Sequence, residues 1–268
     1  MRILFLGDIV GKVGRRAVQS CLPSLKETYE PDFVVVNAEN SAAGFGVTPR
    51  IADELFECGV DGITLGNHAF HRDEIAAYLD ERTKIVRPAN FPEGTPGRGA
   101  TVLEKGGLKL GLINLCGRVF MSEYDDPFRA ADRLIEELRG RIGEPAGESS
   151  ACILVDFHAE ATSEKQAFAS YLDGRVSAVI GTHTHVPTAD ERVLPGGTAY
   201  ISDAGMCGPM DSIIGMDRQV VLRRFLTLRP ARFEVGHGPG VICGVIVDVK
   251  EDTGCAQGIE RIIWKDVS

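Results

Sequence analysis

The sequence lacks a long apolar segment. No stretch approaches the roughly 20 apolar residues that a membrane-spanning helix needs. The apolar run at residues 3–6 is also much too short for a secretory signal. We therefore expect a cytoplasmic protein without a membrane partner.

Paired cysteine motifs are also missing. The seven cysteines are odd in number and scattered, no C-x-x-C occurs, and most lie in apolar runs, as Cys152 does. This pattern argues against a disulfide framework and predicts buried free thiols in a reducing compartment.

Positive charge is scarce. The chain has 29 Lys and Arg against 38 Asp and Glu, a formal net charge of -9. This balance argues against binding of duplex DNA, which depends on Lys and Arg at the phosphates. It does not exclude a phosphate in a pocket, because bound metal ions can dominate the local field. The H-E-x-x-H motif of metallopeptidases is absent as well.

What the sequence does contain is an alternation of short apolar runs and amphipathic segments, which predicts an α/β fold. Strands are expected at residues 2–6, 33–36, 62–65, 109–115, 151–155 and 178–180, and helices at residues 13–28, 48–57, 127–139 and 162–172. After about His185, strand-like runs at 198–201, 219–227, 242–249 and 259–264 predict a second, more antiparallel sheet. Residues 140–150 are interpreted as a polar connection. We expect one domain over residues 1–268.

Polar residues follow five of the predicted strands, at the point where each strand ends. Ligands of open α/β sheets bind at the carboxyl ends of the strands, so these side chains are expected to converge. Each one alone has an ordinary explanation as a turn residue or a buried histidine. The H-x-H at 183–185 is the strongest single signal, because an extended segment would point both rings to one side. The convergent set is Asp8, Glu39, Asn40, Asn67, His68, His158, His183 and His185.

Carboxylate, imidazole and amide ligands without a thiolate suit Mn²⁺, Fe or Zn²⁺ better than a structural zinc cage. Seven ligands suit two ions that share a bridge. Two divalent ions bring four positive charges, the two carboxylates Asp8 and Glu39 remove two, and a bridging hydroxide removes one. The remaining positive charge would hold an anionic phosphate ester.

Longer motifs carry a family resemblance. They are G-D-I-V-G-K-x-G-R, N-A-E-N-x-A-x-G-F-G, D-F-H-A-E-A-T-S-E-K, G-T-H-T-H-V-x-T-A-D and D-A-G-M-C-G-P. The sequence resembles the calcineurin-like metallophosphoesterase superfamily over nearly its whole length. Two departures, the missing histidine of D-x-H after Asp8 and Glu39 in place of the usual bridging Asp, match the YmdB-like branch.

This resemblance implies a four-layer αββα sandwich, in which two packed mixed sheets are flanked by helices. It also implies that one metal ion takes Asp8, Glu39, Asn40 and His185, and the other takes Glu39, Asn67, His158 and His183. The ions would be Fe or Mn, with Zn as a third candidate. The implied substrates are small phosphodiesters such as 2′,3′-cyclic nucleotides or RNA-derived ones, cleaved by a bridging hydroxide while His68 protonates the leaving oxygen.

Several alternatives stay open at this stage. Arg118 follows a strand and is a candidate for contact with substrate phosphate. The same centre would also suit a phosphomonoesterase such as a nucleotidase, or a metal-stabilised regulatory protein without turnover. A homo-oligomer is not excluded, and the segment 203–208 has no role in this reasoning beyond a tight turn.

Overall fold

The computed structural model describes residues 1–143 and 151–265. The strands in these residues are β1 (Arg2–Leu6), β2 (Asp8–Ile9), β3 (Phe33–Asn37), β4 (Gly62–Thr64), β5 (Ile85–Val86), β6 (Ala100–Lys105), β7 (Leu108–Cys116), β8 (Ile153–His158), β9 (Ala178–Thr182), β10 (Arg192–Val193), β11 (Ala199–Ile201), β12 (Met206–Pro209), β13 (Gly240–Val249) and β14 (Ala256–Lys265). The helices are α1 (Gly11–Tyr29), α2 (Pro49–Glu57), α3 (Ile75–Glu81), α4 (Pro127–Ile142), α5 (Thr162–Leu172) and α6 (Arg218–Thr227).

The strands form two mixed sheets. The first has eight strands in the order β2-β12-β13-β1-β3-β4-β5, with β14 paired to β13. Its strands β1, β3, β4 and β5 run parallel, whereas β13 is antiparallel to β1. The second has six strands in the order β10-β11-β9-β8-β7-β6, with β7, β8, β9 and β11 parallel.

Alternate residues of β1 show how the layers stack. Ile3 and Phe5 lie between the two sheets, in one core with Leu112 and Ile180 of the second sheet. Leu4 and Leu6 point the other way, into a core shared with α1, α2 and α3. A third core lies between the second sheet and helices α4 and α5. Because both faces of the central strands are buried, these strands are continuous apolar runs in the sequence. The predicted four-layer αββα sandwich is therefore confirmed.

Side-chain hydrogen bonds followed by proline mark the starts of two helices. The Thr48 hydroxyl accepts a hydrogen bond from the Ile51 amide ahead of Pro49, and Asp126 caps α4 ahead of Pro127. Helix α4 continues to Ile142, so the predicted connection at 140–150 begins as helix, and its residues 144–150 lie outside the described residues. Among the helices described, none is both long and apolar enough to cross a bilayer.

Two predictions for the C-terminal third are wrong. Residues 219–227 form helix α6 instead of a strand, because Asp217 caps the Val220 amide and starts a helix that buries Val221. The later strands do not build a sheet of their own either: β13 and β14 extend the first sheet and β10 and β11 extend the second. The free-thiol prediction agrees with the structure, in which all seven cysteines are unpaired and five of them are buried.

Candidate metal centre

Side chains from five strand ends meet at one edge of the two sheets. Asp8 follows β1, Glu39 and Asn40 follow β3, Asn67 follows β4, His158 ends β8, and His183 and His185 follow β9. The parallel strands deliver them from both sheets to one place, as the rule for carboxyl ends of strands predicts.

Glu39 lies at the middle of this cluster and is buried. Its Oε1 is 3.0 Å from Nε2 of His158 and accepts a hydrogen bond from Asn40 Nδ2 at 3.1 Å. The His158 Nε2 is also 2.9 Å from Asn67 Oδ1 and 3.0 Å from His183 Nδ1. Ligand atoms of Glu39, His158 and His183 all lie within 4.8 Å of one another, a spacing that suits a metal ion.

The other side of the cluster contains Asp8, Asn40 and His185. Nε2 of His185 is 3.1 Å from Nδ2 of Asn40 and 3.8 Å from Oδ1 of Asp8. That carboxylate oxygen is buried and has no hydrogen-bond partner among the described residues. A buried carboxylate oxygen without a partner is costly, so this position fits a cation and not an empty core.

The charges of the cluster agree with this interpretation. Burial raises the pKa of Asp8 to about 7. Burial acts to lower the pKa of His158, but Glu39 and Asp8 outweigh it and raise that pKa to about 9. Burial acts to raise the pKa of Glu39, yet the charge of His158 and the hydrogen bonds from His158 and the His68 amide bring it below its ordinary value. Two carboxylates in a dry site are stabilised by nearby positive charge, which His158 or a bound cation can supply.

Each ligand-type histidine has a second partner that orients its ring. Nδ1 of His158 is 2.9 Å from the Thr182 hydroxyl, which itself donates to Asp156 at 2.6 Å. Nδ1 of His185 donates to the Ile214 carbonyl at 2.8 Å. These bonds leave Nε2 of both rings facing the cluster, an arrangement usual for histidines that bind metals. His183 is reversed: its Nε2 faces Glu160 at 3.2 Å and its Nδ1 faces the cluster.

The histidines of the H-x-H do not lie on an extended segment, and that expectation is wrong. Strand β9 ends at Thr182, and the next turn has His183 at φ 97° and His185 at φ 66°. Such positive values are unfavourable for residues with a side chain and need support from their surroundings. Both rings reach the cluster through this tight turn instead of through strand alternation.

Asp203 supports the turn. Its Oδ2 accepts hydrogen bonds from the amide and the hydroxyl of Thr184 at 3.0 and 2.6 Å, and its Oδ1 accepts from the Gly205 amide at 2.8 Å. Lys165, almost fully buried, contacts the same Oδ2 at 2.9 Å. The role of the D-A-G segment is thus to hold the backbone that carries His183 and His185.

Gly66 allows the backbone to pass close to the cluster. A Cβ at this position would lie 2.2 Å from Oε2 of Glu39 and 2.4 Å from Nε2 of His158. Only glycine leaves room for both side chains, which explains the glycine of the G-N-H motif.

His68 lies at the edge of the cluster. Its amide donates to Oε2 of Glu39 at 3.1 Å, and its ring packs edge-on against Phe45 and His71. Burial lowers the pKa of His68, so the ring is neutral near pH 7 and can donate one N–H. The Arg118 guanidinium is 3.5 Å from Asp126. Its contact with substrate stays a prediction.

Sequence reasoning gave no supporting role to four residues that contact the ligands or their backbone, although all four lie in the quoted motifs: Asp156, Glu160, Lys165 and Asp203. One of them also has a direct signal in its own strand. Asp156 interrupts the otherwise apolar run of β8 and is fully buried, and a buried carboxylate usually has a defined partner.

Comparison with known proteins identifies the family of the chain. The family described as YmdB-like protein matches residues 4–262. The chain belongs to the YmdB-like family. Over 266 residues, the chain is 50% identical to the 2′,3′-cyclic-nucleotide 2′-phosphodiesterase of Bacillus subtilis (strain 168). This alignment covers 99% of the chain and 98% of that relative.

Solved structures are similar to this YmdB-like chain over its whole length. A hypothetical protein from Thermus thermophilus superposes with a TM-score of 0.89 at 45% identity, covering 99% of this chain and 100% of that one. The calcineurin-like phosphoesterase YfkN from Bacillus subtilis has a TM-score of 0.59 at 14% identity, with 99% and 90% coverage. At 14% identity, the similarity to YfkN shows only that the two proteins share a fold.

Proposed function

We propose that this protein is a metal-dependent phosphodiesterase with a centre for two metal ions, and that its substrates are 2′,3′-cyclic nucleotides. The observation that carries the proposal is the convergence of three histidines, two carboxylates and two amides around a buried, unpartnered Asp8 oxygen. The substrate class follows from the named activity of the relative that is 50% identical.

The ligands divide into two sets around Glu39. One ion would be held by Asp8, Glu39, Asn40 and His185, and the other by Glu39, Asn67, His158 and His183. Contacts of 3.1 and 3.8 Å join members of the first set, and contacts of 2.9 and 3.0 Å join members of the second. The two sets adjoin each other, since Nδ1 of His158 is also 3.8 Å from Oδ1 of Asp8. The mixture of oxygen and imidazole donors suits Fe or Mn, with Zn as a third candidate.

When bound, such ions would neutralise the phosphate charge and activate a water molecule near neutral pH. The protein's own side chains and backbone orient the ligands and contact the substrate. The carbonyl of Ile214 and the hydroxyl of Thr182 keep two imidazoles in the orientation that binds a cation. His68 borders the cavity over the centre as a neutral imidazole and is our candidate donor of a hydrogen bond that stabilises the charge on the leaving oxygen.

Hydrolysis by the metal-stripped protein, with and without added Mn²⁺, tests the proposal. The substrates are bis(p-nitrophenyl) phosphate and adenosine 2′,3′-cyclic phosphate, beside the monoesters p-nitrophenyl phosphate and adenosine 3′-phosphate. We expect Mn²⁺-dependent cleavage of the diesters in preference to the monoesters. A preference for the monoesters would favour the nucleotidase alternative. Protein that holds two ions and turns over none of the four would contradict the proposed enzymatic function.

A further inference from the structure

A cavity of about 420 Å³ opens over the metal centre, and its two halves differ in chemistry. One half is lined by residues of the centre, including Glu39, His68 and His185. The other half is apolar and is lined by residues of α6 and its flanking loops, among them Met216 and Phe225. Its volume lies in the range of about 300–1,000 Å³ that is usual for small-molecule sites.

Two aromatic rings, those of Phe225 and Phe233, line the apolar half. Phe225 of α6 is 74% exposed, although α6 buries Val221 against the protein. The ring of Phe233 also lines the cavity and has the guanidinium of Arg224 over it, 5.6 Å from the ring centre. An exposed ring beside a polar centre offers a flat face to a planar, uncharged group.

A nucleotide has the two parts that this cavity would accommodate. Its phosphate is anionic and suits the centre, and its base is planar, uncharged and apolar on both faces. We propose that the apolar half of the cavity binds the nucleobase of the substrate, with Phe225 as its stacking partner. This inference rests on the proposed function. Because stacking needs only a π-face, which every base has, we expect little selection among the four common bases.

The test compares adenosine 2′,3′-cyclic phosphate with the abasic ribose 2′,3′-cyclic phosphate. Phe225→Ala is expected to lower the ratio of the two kcat/KM values, nucleotide over abasic, by about 5- to 150-fold. Leu226→Ala is the matched control, because Leu226 is 82% exposed on the same helix and does not line the cavity. It should leave the ratio within about twofold of the wild-type value.

A second readout separates this inference from the proposed function. Calorimetric binding of adenosine 3′-phosphate should weaken in Phe225→Ala and not in Leu226→Ala, whether or not the protein has turnover. If the wild-type protein hydrolyses neither cyclic phosphate but shows this binding pattern, the proposed function fails and the base site stands. If cleavage is robust and Phe225→Ala leaves the ratio unchanged, the base site fails and the function stands.

One further outcome would overturn the base site. The exposed apolar side chains of α6 would also suit contact with a second copy of the chain. If Phe225→Ala changes the mass measured by light scattering and lowers both kcat/KM values in the same proportion, Phe225 belongs to a contact between copies.

Discussion

Replacement of Lys165 by methionine tests how the H-x-H turn is held in place. Lys165 and Asp203 are 2% and 1% exposed, and Nζ lies 2.9 Å from Oδ2. Methionine keeps most of the length of the side chain but removes its charge. The Asp203 carboxylate would then stay buried without a counter-charge, next to the backbone that carries His183 and His185.

The magnitude follows from burial. Removing one partner of a buried ion pair costs about 3–5 kcal/mol of unfolding free energy. Asp203 keeps three hydrogen bonds, two from Thr184 and one from Gly205. We therefore expect the lower end of that range, about 3 kcal/mol. The loosened turn should also reduce the amount of metal that the protein retains after dialysis.

A matched control exists in the same chain. Lys105 contacts Asp61 at the same 2.9 Å, but the two side chains are 46% and 19% exposed. Lys105→Met should therefore cost only about 0–1 kcal/mol, because exposed ion pairs contribute little. In the double variant of Lys165→Met with Asp203→Asn, no uncompensated charge remains, and part of the stability should return.

Urea denaturation of the metal-stripped proteins, followed by circular dichroism, measures these differences directly. The slope of the unfolding free energy against urea should be unchanged, so that the midpoints report stability. Equal losses for Lys165→Met and Lys105→Met, or full metal retention in Lys165→Met, would refute the assigned role of the buried pair.

Three further predictions concern the centre itself. His68→Ala should retain its metal, as measured by elemental analysis, and lose about 10²–10⁴-fold in the rate of diester cleavage. His237→Ala is its control, because His237 is exposed and does not line the cavity over the centre. Loss of metal in His68→Ala would make His68 a ligand instead. Asp8→Ala and Glu39→Ala should each lose bound metal, and full occupancy in both would contradict the ligand assignment. Gly66→Ala should fold, as judged by circular dichroism, but bind metal poorly, because the added Cβ would overlap Glu39. A normal metal content in this variant would show that the backbone at residue 66 can shift to make room for the Cβ.

The sequence predicted the elements that depend on local pattern. Strand β1 and helix α5 have the predicted bounds of residues 2–6 and 162–172, and α2 begins one residue after the predicted start at 48. Strand β1 is a continuous apolar run that is buried on both faces, and α5 buries Phe168, Ala169 and Leu172, so both are marked by apolar residues along the chain. Helix α6 is the exception, since it buries Val221 and little else, and its apolar residues follow no core-facing pattern.

The residues of the candidate centre were also predictable, because parallel strands bring their carboxyl ends to one edge and the polar residues follow those strands directly. The sequence alone thus determined the fold class and the residue types that meet. Only the tertiary structure decided how they meet. The positive φ values of His183 and His185 go against local preference and depend on Asp203, whose partner Lys165 is 38 residues away. The C-terminal strands are divided between the two sheets, and α6 forms an apolar wall of the cavity. Both features depend on contacts between segments that are distant in the sequence, and no local pattern encodes them.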